Sequence, residues 1–133
     1  MKYKFLEHTA DAKFQAFGST LEEAFINAAL ATTKIMTDDK IKQKIEKKIK
    51  ISGNDKKSLL YNFLEELLFL LETKNFLLSK IKKLKIKNNE LTATLLGDNK
   101  IKNYEIKTHI KAVTYNQMFI KEKPFKVQVV LDI

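Results

Sequence analysis

Residues 59–71 read LLYNFLEELLFLL, the longest apolar stretch in the chain. It is interrupted by polar side chains and is shorter than the roughly 20 residues that a membrane span needs. Its apolar residues cover a broad helical surface, and Asp55 or Ser58 begins the helix, which runs to about Glu72. The pattern therefore predicts a helix that forms the centre of the core.

A second helix is predicted from about residue 20 to residue 35. Thr20 can accept a hydrogen bond from the amide of Glu23 while the Glu23 side chain accepts one from the amide of Thr20, which is a capping box. Apolar and small residues then recur at helical spacing up to Ile35. The resulting narrow apolar face predicts packing on a flat surface.

The remaining segments alternate apolar and polar residues, which is typical of strands. Strands are predicted at residues 3–6, 12–17, 41–51, 80–87, 91–96, 100–115 and 125–133. Asn88 and Asn89 suit a hairpin turn because asparagine tolerates positive φ. We therefore predict an α+β fold of a single two-layer domain, with two helices packed on a mixed, largely antiparallel sheet of about seven strands.

Composition excludes several classes of function. The 133 residues suffice for one domain, and the absence of cysteine excludes disulfide scaffolds, thiolate zinc sites and cysteine nucleophiles. The net charge is +9, and every basic residue is a lysine, so no guanidinium is available to grip phosphate at two points. No targeting segment is visible, so we expect a soluble cytoplasmic protein.

Common enzyme motifs are absent from the sequence. There is no Gly-rich phosphate loop, nucleophile elbow or His-Glu-x-x-His helix. The two histidines are far apart, and His109 lies between Lys107 and Lys111 on the polar face of a predicted strand, as a solvated histidine would. No residue is therefore predicted to be catalytic.

Carboxylates near the two ends of the chain are the strongest candidate ligands. Asp132 alternates with Leu131, so it points away from the apolar face of the last strand, and Ile133 adds a terminal carboxylate beside it. An aspartate near a chain end is ordinarily solvated, and the alternative is an oxygen cluster that Asp11, in a tight connection near the other end, could complete. Hard oxygen donors favour Ca²⁺, Mg²⁺ or Mn²⁺ over zinc.

Several motifs together resemble the archease family over essentially the whole chain. They are EHTAD at residues 7–11, FGSTLEEAF at 17–25, NAALA at 27–31, MTD at 36–38, the helix at 62–73, KAVTY at 111–115 and VVLDI at 129–133. The resemblance implies one archease-like domain spanning residues 1–133.

The resemblance also implies a function without catalysis by the chain itself. Archeases assist the RtcB-type RNA ligase of tRNA splicing, in which a 3′-phosphate end is joined to a 5′-hydroxyl, by promoting ligase guanylylation and multiple turnover. The implied metal ligands are Asp11, Asp132 and Ile133, with Ca²⁺ as the implied cation and Mg²⁺ or Mn²⁺ as alternatives. His8 and Asp38 are candidates for supporting the metal site or ligase activation.

One position departs from the family pattern, and two rival functions remain open. Asn116 stands where the family usually has histidine. Asparagine forms hydrogen bonds but cannot carry a proton at neutral pH, so a structural or docking role is expected at this position and acid–base work is not. A basic RNA chaperone acting on tRNA would use the lysines of residues 40–57 and 80–87, with Phe and Tyr side chains as stacking platforms. A metal-dependent phosphohydrolase would need a general base, and none is evident.

Overall fold

The computed structural model describes residues 1–7 and 11–133, within which it has seven strands, two α-helices and a short 3₁₀ turn. The elements are β1 (Tyr3–Leu6), β2 (Asp11–Gly18), α1 (Leu21–Met36), β3 (Ile45–Ser52), α2 (Lys56–Lys74), β4 (Leu77–Lys87), β5 (Glu90–Asp98), the 3₁₀ turn (Ile101–Asn103), β6 (Ala112–Lys121) and β7 (Phe125–Asp132). His8 lies outside the described residues. None of the described helices is long and apolar enough to span a membrane.

The strands form two sheets, with the orders β1-β2-β7-β6 and β3-β5-β4. Every strand pairing among the described residues is antiparallel. Helix α1 contacts β2 and β4, and α2 contacts β6 and β3, so each helix packs on both sheets. The helices therefore form a layer between the two sheets.

The predicted α+β class, with two helices and seven strands, is confirmed, but the arrangement differs from one mixed sheet in two layers. The reason is the burial of the helices. The buried residues of α1 span about 200° of the helix circumference at 100° per residue; they are Ala24, Phe25, Asn27, Ala28, Ala29, Ala31, Thr32 and Met36. Such a helix needs cover on two sides, whereas periodicity alone predicts only that it has an apolar face.

The helix starts follow the local sequence, with one difference. For α2, the Asp55 carboxylate accepts from the Ser58 amide at 2.8 Å, and the Ser58 hydroxyl accepts from the Asp55 amide at 3.1 Å. For α1, the Thr20 hydroxyl accepts from the Glu23 amide at 3.1 Å, as predicted. The Glu23 carboxylate, however, reaches one residue further back and accepts from the amide of Ser19.

Two of the predicted strands are shorter in the structure. Strand β3 begins at Ile45, and Ile41 is buried outside it, where its carbonyl accepts from the Ser79 hydroxyl. Of the strand predicted at 100–115, residues 100–111 form a 3₁₀ turn and an irregular segment, and only residues 112–115 belong to a strand, β6, which continues to Lys121. The amides of Lys107 and Thr108 donate to the carbonyl of Met36 at the end of α1, so their partner is a helix end and not a neighbouring strand.

Candidate metal centre

The pairing of β2 with β7 places Asp11 directly opposite Asp132 at one end of the four-stranded sheet. Residues opposite each other in an antiparallel pair point to the same face, with Cβ atoms about 4.5–5.5 Å apart. Their strand neighbours Ala12 and Leu131 pack in the core, so the two aspartates point away from it. Both aspartates are half-buried. The structure therefore brings together two residues that are 121 positions apart in sequence.

The surroundings of Asp132 hold the end of β7 in place. The amide of Lys111 donates to the carbonyl of Asp132 at 2.7 Å. Ala112 of β6 pairs with Asp132 on the side away from Asp11, so a small side chain flanks the carboxylate there. The side chain of Ile133 packs against the core, which fixes the backbone that follows Asp132.

The donor set fits a hard divalent cation. Two aspartate carboxylates on one face offer only oxygen donors, and the carboxylate of Ile133, where it ends the chain, would add another. Among residues 1–7 and 11–133, no three His, Cys, Asp or Glu side chains cluster at metal-binding distance. A cation here would therefore rest on the aspartate pair and the Ile133 carboxylate, and would keep positions open for another molecule.

A polar network that the sequence analysis did not identify continues from the carboxylates along the same sheet face. Lys13, two residues beyond Asp11, donates from its ammonium to the side-chain carbonyl of Gln117 at 2.7 Å. The Gln128 amide donates to the backbone carbonyl of Gln117 at 2.8 Å, and the Gln15 amide donates to the Gln128 side chain at 2.9 Å. These bonds tie β2, β7 and β6 together beside the aspartates.

An irregularity in β6 creates this network. The register between β6 and β7 shifts between Thr114 and Phe119, and Gln117 within that bulge has a φ of 54°. On the face turned away from the core, Val130 is fully buried and Gln128 is 7% exposed. One feature of the sequence indicates that this face of β7 is buried. Val130 is apolar, whereas the other β7 residues on the same face, including Gln128 and Asp132, are polar.

Asp38 follows the end of α1 and is engaged by two lysines. Its carboxylate accepts from the ammonium of Lys107 at 2.9 Å and lies 3.0 Å from that of Lys34. The hydrogen bonds from Lys107 and then Lys34 hold the pKa of Asp38 below its usual value. Asp38 thus anchors the segment that leads to Lys111 and Asp132, and no direct bond between Asp38 and either site aspartate is present among the described residues.

Asn116 and His109 lie on the surface. Asn116 is in the β6 bulge, where its amide donates to the hydroxyl of Thr114 at 3.2 Å. His109 is exposed as predicted, but it lies in the irregular segment before β6 and not on a strand. Neither side chain forms a hydrogen bond within the part of the chain that the structure describes.

Known proteins match the chain over nearly its whole length. The profile of the archease protein family (MTH1598/TM1083) matches residues 3–133. The chain is 39% identical to the archease of Methanothermobacter thermautotrophicus, over 98% of each sequence, and 41% identical to that of Methanosarcina barkeri, over 99% of this chain and 96% of the relative.

Solved structures agree with the sequence comparison. The solution structure of Methanobacterium thermoautotrophicum protein 1598 superposes with a TM-score of 0.83 at 38% identity, covering 99% of each chain. The crystal structure of a Thermotoga maritima archease, described as a possible chaperone, gives a TM-score of 0.68 at 22% identity, covering 98% of this chain and 96% of that one. The second likeness shows the fold alone.

Proposed function

The chain belongs to the archease protein family, and from this premise we propose that it activates an RtcB-type RNA ligase. In this proposal the protein promotes guanylylation and multiple turnover of the ligase during tRNA splicing and RNA repair in the cytoplasm. It performs no chemistry of its own. It acts through a divalent cation that is held by Asp11, Asp132 and the carboxylate of Ile133. The proposed cation is Ca²⁺, and Mg²⁺ and Mn²⁺ are the alternatives.

The observation that carries this proposal is the cross-strand pairing of Asp11 with Asp132. Two carboxylates on one face repel each other, and a cation shared between them relieves that repulsion. A bound cation would supply a positive charge that attracts the phosphate oxygens of a nucleotide or an RNA end. Since only a few ligands come from this chain, part of the coordination sphere is left for the ligase or its nucleotide.

The residues around the pair keep the carboxylates in register. The bond from the Lys111 amide fixes the Asp132 backbone, and the Lys13–Gln117 hydrogen bond fixes β2 against the β6 bulge. We assign Asp38 a positioning role, because its ion pair with Lys107 anchors the segment leading to Lys111. Asn116 keeps a hydrogen-bonding side chain at the bulge but cannot carry a proton at neutral pH.

The test is transfer of labelled GMP to the cognate ligase without any RNA, with this protein present in sub-stoichiometric amounts. The native chain should stimulate guanylylation repeatedly, and Asp11→Asn or Asp132→Asn should reduce the stimulation by at least about tenfold, a loss of roughly 1.4 kcal/mol. Glu122→Gln, which removes the same charge at an exposed position before β7, is the matched control and should stimulate normally.

Binding of the cation has its own readout. Calorimetric titration with Ca²⁺ or Mn²⁺ should show one site that both aspartate variants weaken and Glu122→Gln leaves intact. Adding one glycine after Ile133 should also weaken it, because the terminal carboxylate moves. Normal ligase stimulation by both aspartate variants would refute the proposal, and hydrolysis of GTP by the isolated protein would favour the phosphohydrolase instead.

A further inference from the structure

The outer face of the three-stranded sheet has an ordered arrangement of lysines. In the β3-β5-β4 order, Lys48 of β3 and Lys83 of β4 flank Thr94, and Lys50 and Lys85 flank Thr92. We call these six residues the lysine face. Neighbouring strands lie about 4.8 Å apart and alternate residues about 7 Å apart, so the four lysine Cα atoms mark a rectangle of about 10 by 7 Å.

A bulge in β4 increases the positive charge of this side. The register shifts between Ile81 and Lys83, so Lys82 is an extra residue in the strand. Ile81 is buried, while Lys82 and Lys83 are both exposed. A bulge of this kind interrupts the alternation of side chains and can direct two neighbouring residues to the same side. The Lys82–Lys83 doublet therefore extends the lysine face.

The charges of the lysine face are poorly neutralised. Lys50 lies 3.6 Å from Glu90, and Lys82 lies 3.7 Å from Glu46, with the lysine side chains 68% and 64% exposed and the glutamate side chains 48% and 43% exposed. Ion pairs between exposed side chains are weak and are screened by salt, so they neutralise these lysine charges only partly. Within residues 1–7 and 11–133, Lys48, Lys83 and Lys85 form no ion pair, and they line a shallow groove of about 410 Å³ together with Thr92 and Thr94.

The chemistry of the lysine face indicates the kind of partner. Lysine ammonium groups bind phosphates as point charges and read no base sequence. Strands β3, β4 and β5 contain no aromatic residue, so the face has no platform on which unpaired bases could stack. This removes the stacking contribution that an RNA chaperone would need on this sheet, and it leaves recognition of a phosphate backbone.

We propose that the lysine face binds the phosphate backbone of base-paired RNA. That the polymer is RNA and not DNA rests on the proposed function, whereas the backbone contact rests on the lysine arrangement itself. The exposed hydroxyl of Thr92 and the half-buried Thr94 lie between the lysine rows, where a 2′-hydroxyl can donate or accept a hydrogen bond. The aspartate pair and the lysine face belong to different sheets, on either side of the helix layer.

The test measures binding of a labelled RNA duplex of about 16 base pairs to the isolated full chain by fluorescence anisotropy over a range of salt concentrations. The triple variant K48Q/K83Q/K85Q should bind at least about tenfold more weakly, and the slope of log K against log salt should fall by about 3. The matched control is K57Q/K74Q/K102Q, which removes the same charge from exposed positions elsewhere and should change binding less than about twofold.

Three results would overturn the proposal. Equal weakening by both triple variants would mean that net charge alone attracts RNA. Single-stranded RNA or duplex DNA bound as tightly as duplex RNA would remove the assigned partner. If K48Q/K83Q/K85Q still binds duplex RNA but no longer stimulates ligase guanylylation in the absence of RNA, the lysine face is a docking surface for the ligase protein. RNA binding is measured without ligase, and guanylylation is measured without RNA. A failure of the lysine-face proposal can therefore be distinguished from a failure of the proposed ligase activation.

Discussion

At the scale of single residues, Asp98 shows how one buried carboxylate joins distant segments. It is 2% exposed at the end of β5, and the hydroxyl of Tyr104 donates to it at 2.6 Å. That hydroxyl in turn accepts from the amide of Lys42 at 3.1 Å. The hydrogen bond from Tyr104, followed by those from the Lys100 and Asn99 amides, lowers the pKa of Asp98.

This lowered pKa predicts a pH-dependent contribution to stability. Because the folded-state pKa of Asp98 is below its unfolded value, the contribution is present above about pH 4 and is lost as the pH falls through the folded-state pKa. Tyr104→Phe removes the largest cause of the shift, so the pKa of Asp98 should rise towards its usual value. The variant should therefore be less stable than the native chain at pH 7, with a difference that shrinks as the pH falls below about 4.

Urea unfolding at a series of pH values measures this difference. Tyr61→Phe is the control, because the Tyr61 ring stacks on Tyr115 and its hydroxyl forms no hydrogen bond among the residues that the structure describes. The control should shift the unfolding free energy equally at every pH. A pH-independent loss in Tyr104→Phe would contradict the role given to Asp98.

At the scale of elements, the β4–β5 hairpin depends on its two-residue turn. Asn88 and Asn89 have φ values of 52° and 60°, as the asparagine pair predicted. The Asn89 side chain also accepts a hydrogen bond from Lys56 at the start of α2 and donates to the carbonyl of Asn54. The turn therefore closes the three-stranded sheet and holds it against α2.

Substitution of Asn88 separates backbone conformation from side-chain contacts. Asn88→Gly should preserve the free energy of unfolding, because glycine adopts positive φ without strain. Asn88→Val should lose about 1–2 kcal/mol, since a β-branched residue is unfavourable in the left-handed region. Urea denaturation at neutral pH distinguishes the two variants, and similar stabilities would show that the turn does not constrain the hairpin.

At the scale of the whole molecule, the helix layer separates two sheets whose outer faces carry different chemistry. The four-stranded sheet bears the aspartate pair, and the three-stranded sheet bears the lysine face. A helix is about 10 Å across with its side chains. The two faces are therefore too far apart for direct contact, and residues so separated contribute independently in most proteins.

A combined variant tests this independence. The variant carrying Asp132→Asn together with K48Q/K83Q/K85Q should lose guanylylation stimulation to the extent of Asp132→Asn alone. Its affinity for duplex RNA should fall to the extent of the lysine triple alone, within about 0.5 kcal/mol in each assay. A deviation of more than about 1 kcal/mol in either assay would show that the two sheets are coupled through the helices.

The sequence by itself determined the elements that depend on local interactions. Both helices begin at the predicted caps, the asparagine turn has positive φ, and the alternation of Leu131 with Asp132 set the direction of each side chain. The pairing of Asp11 with Asp132 was anticipated as a cluster, but only the β2–β7 register places these residues directly opposite each other.

Tertiary structure alone decided how the strands divide into sheets and which polar residues meet. The strands divide into two sheets because α1 and α2 are each buried on two sides. Hydrophobic periodicity shows that a helix has an apolar face but does not show how many sheets pack against it. The segment before β6 does not form the predicted strand, because the amide of Lys107 donates to the carbonyl of Met36 at the end of α1 and not to a neighbouring strand. The Lys13–Gln117–Gln128 network depends on a bulge whose position is set by pairing with β7, and such non-local pairing leaves little trace in the local sequence.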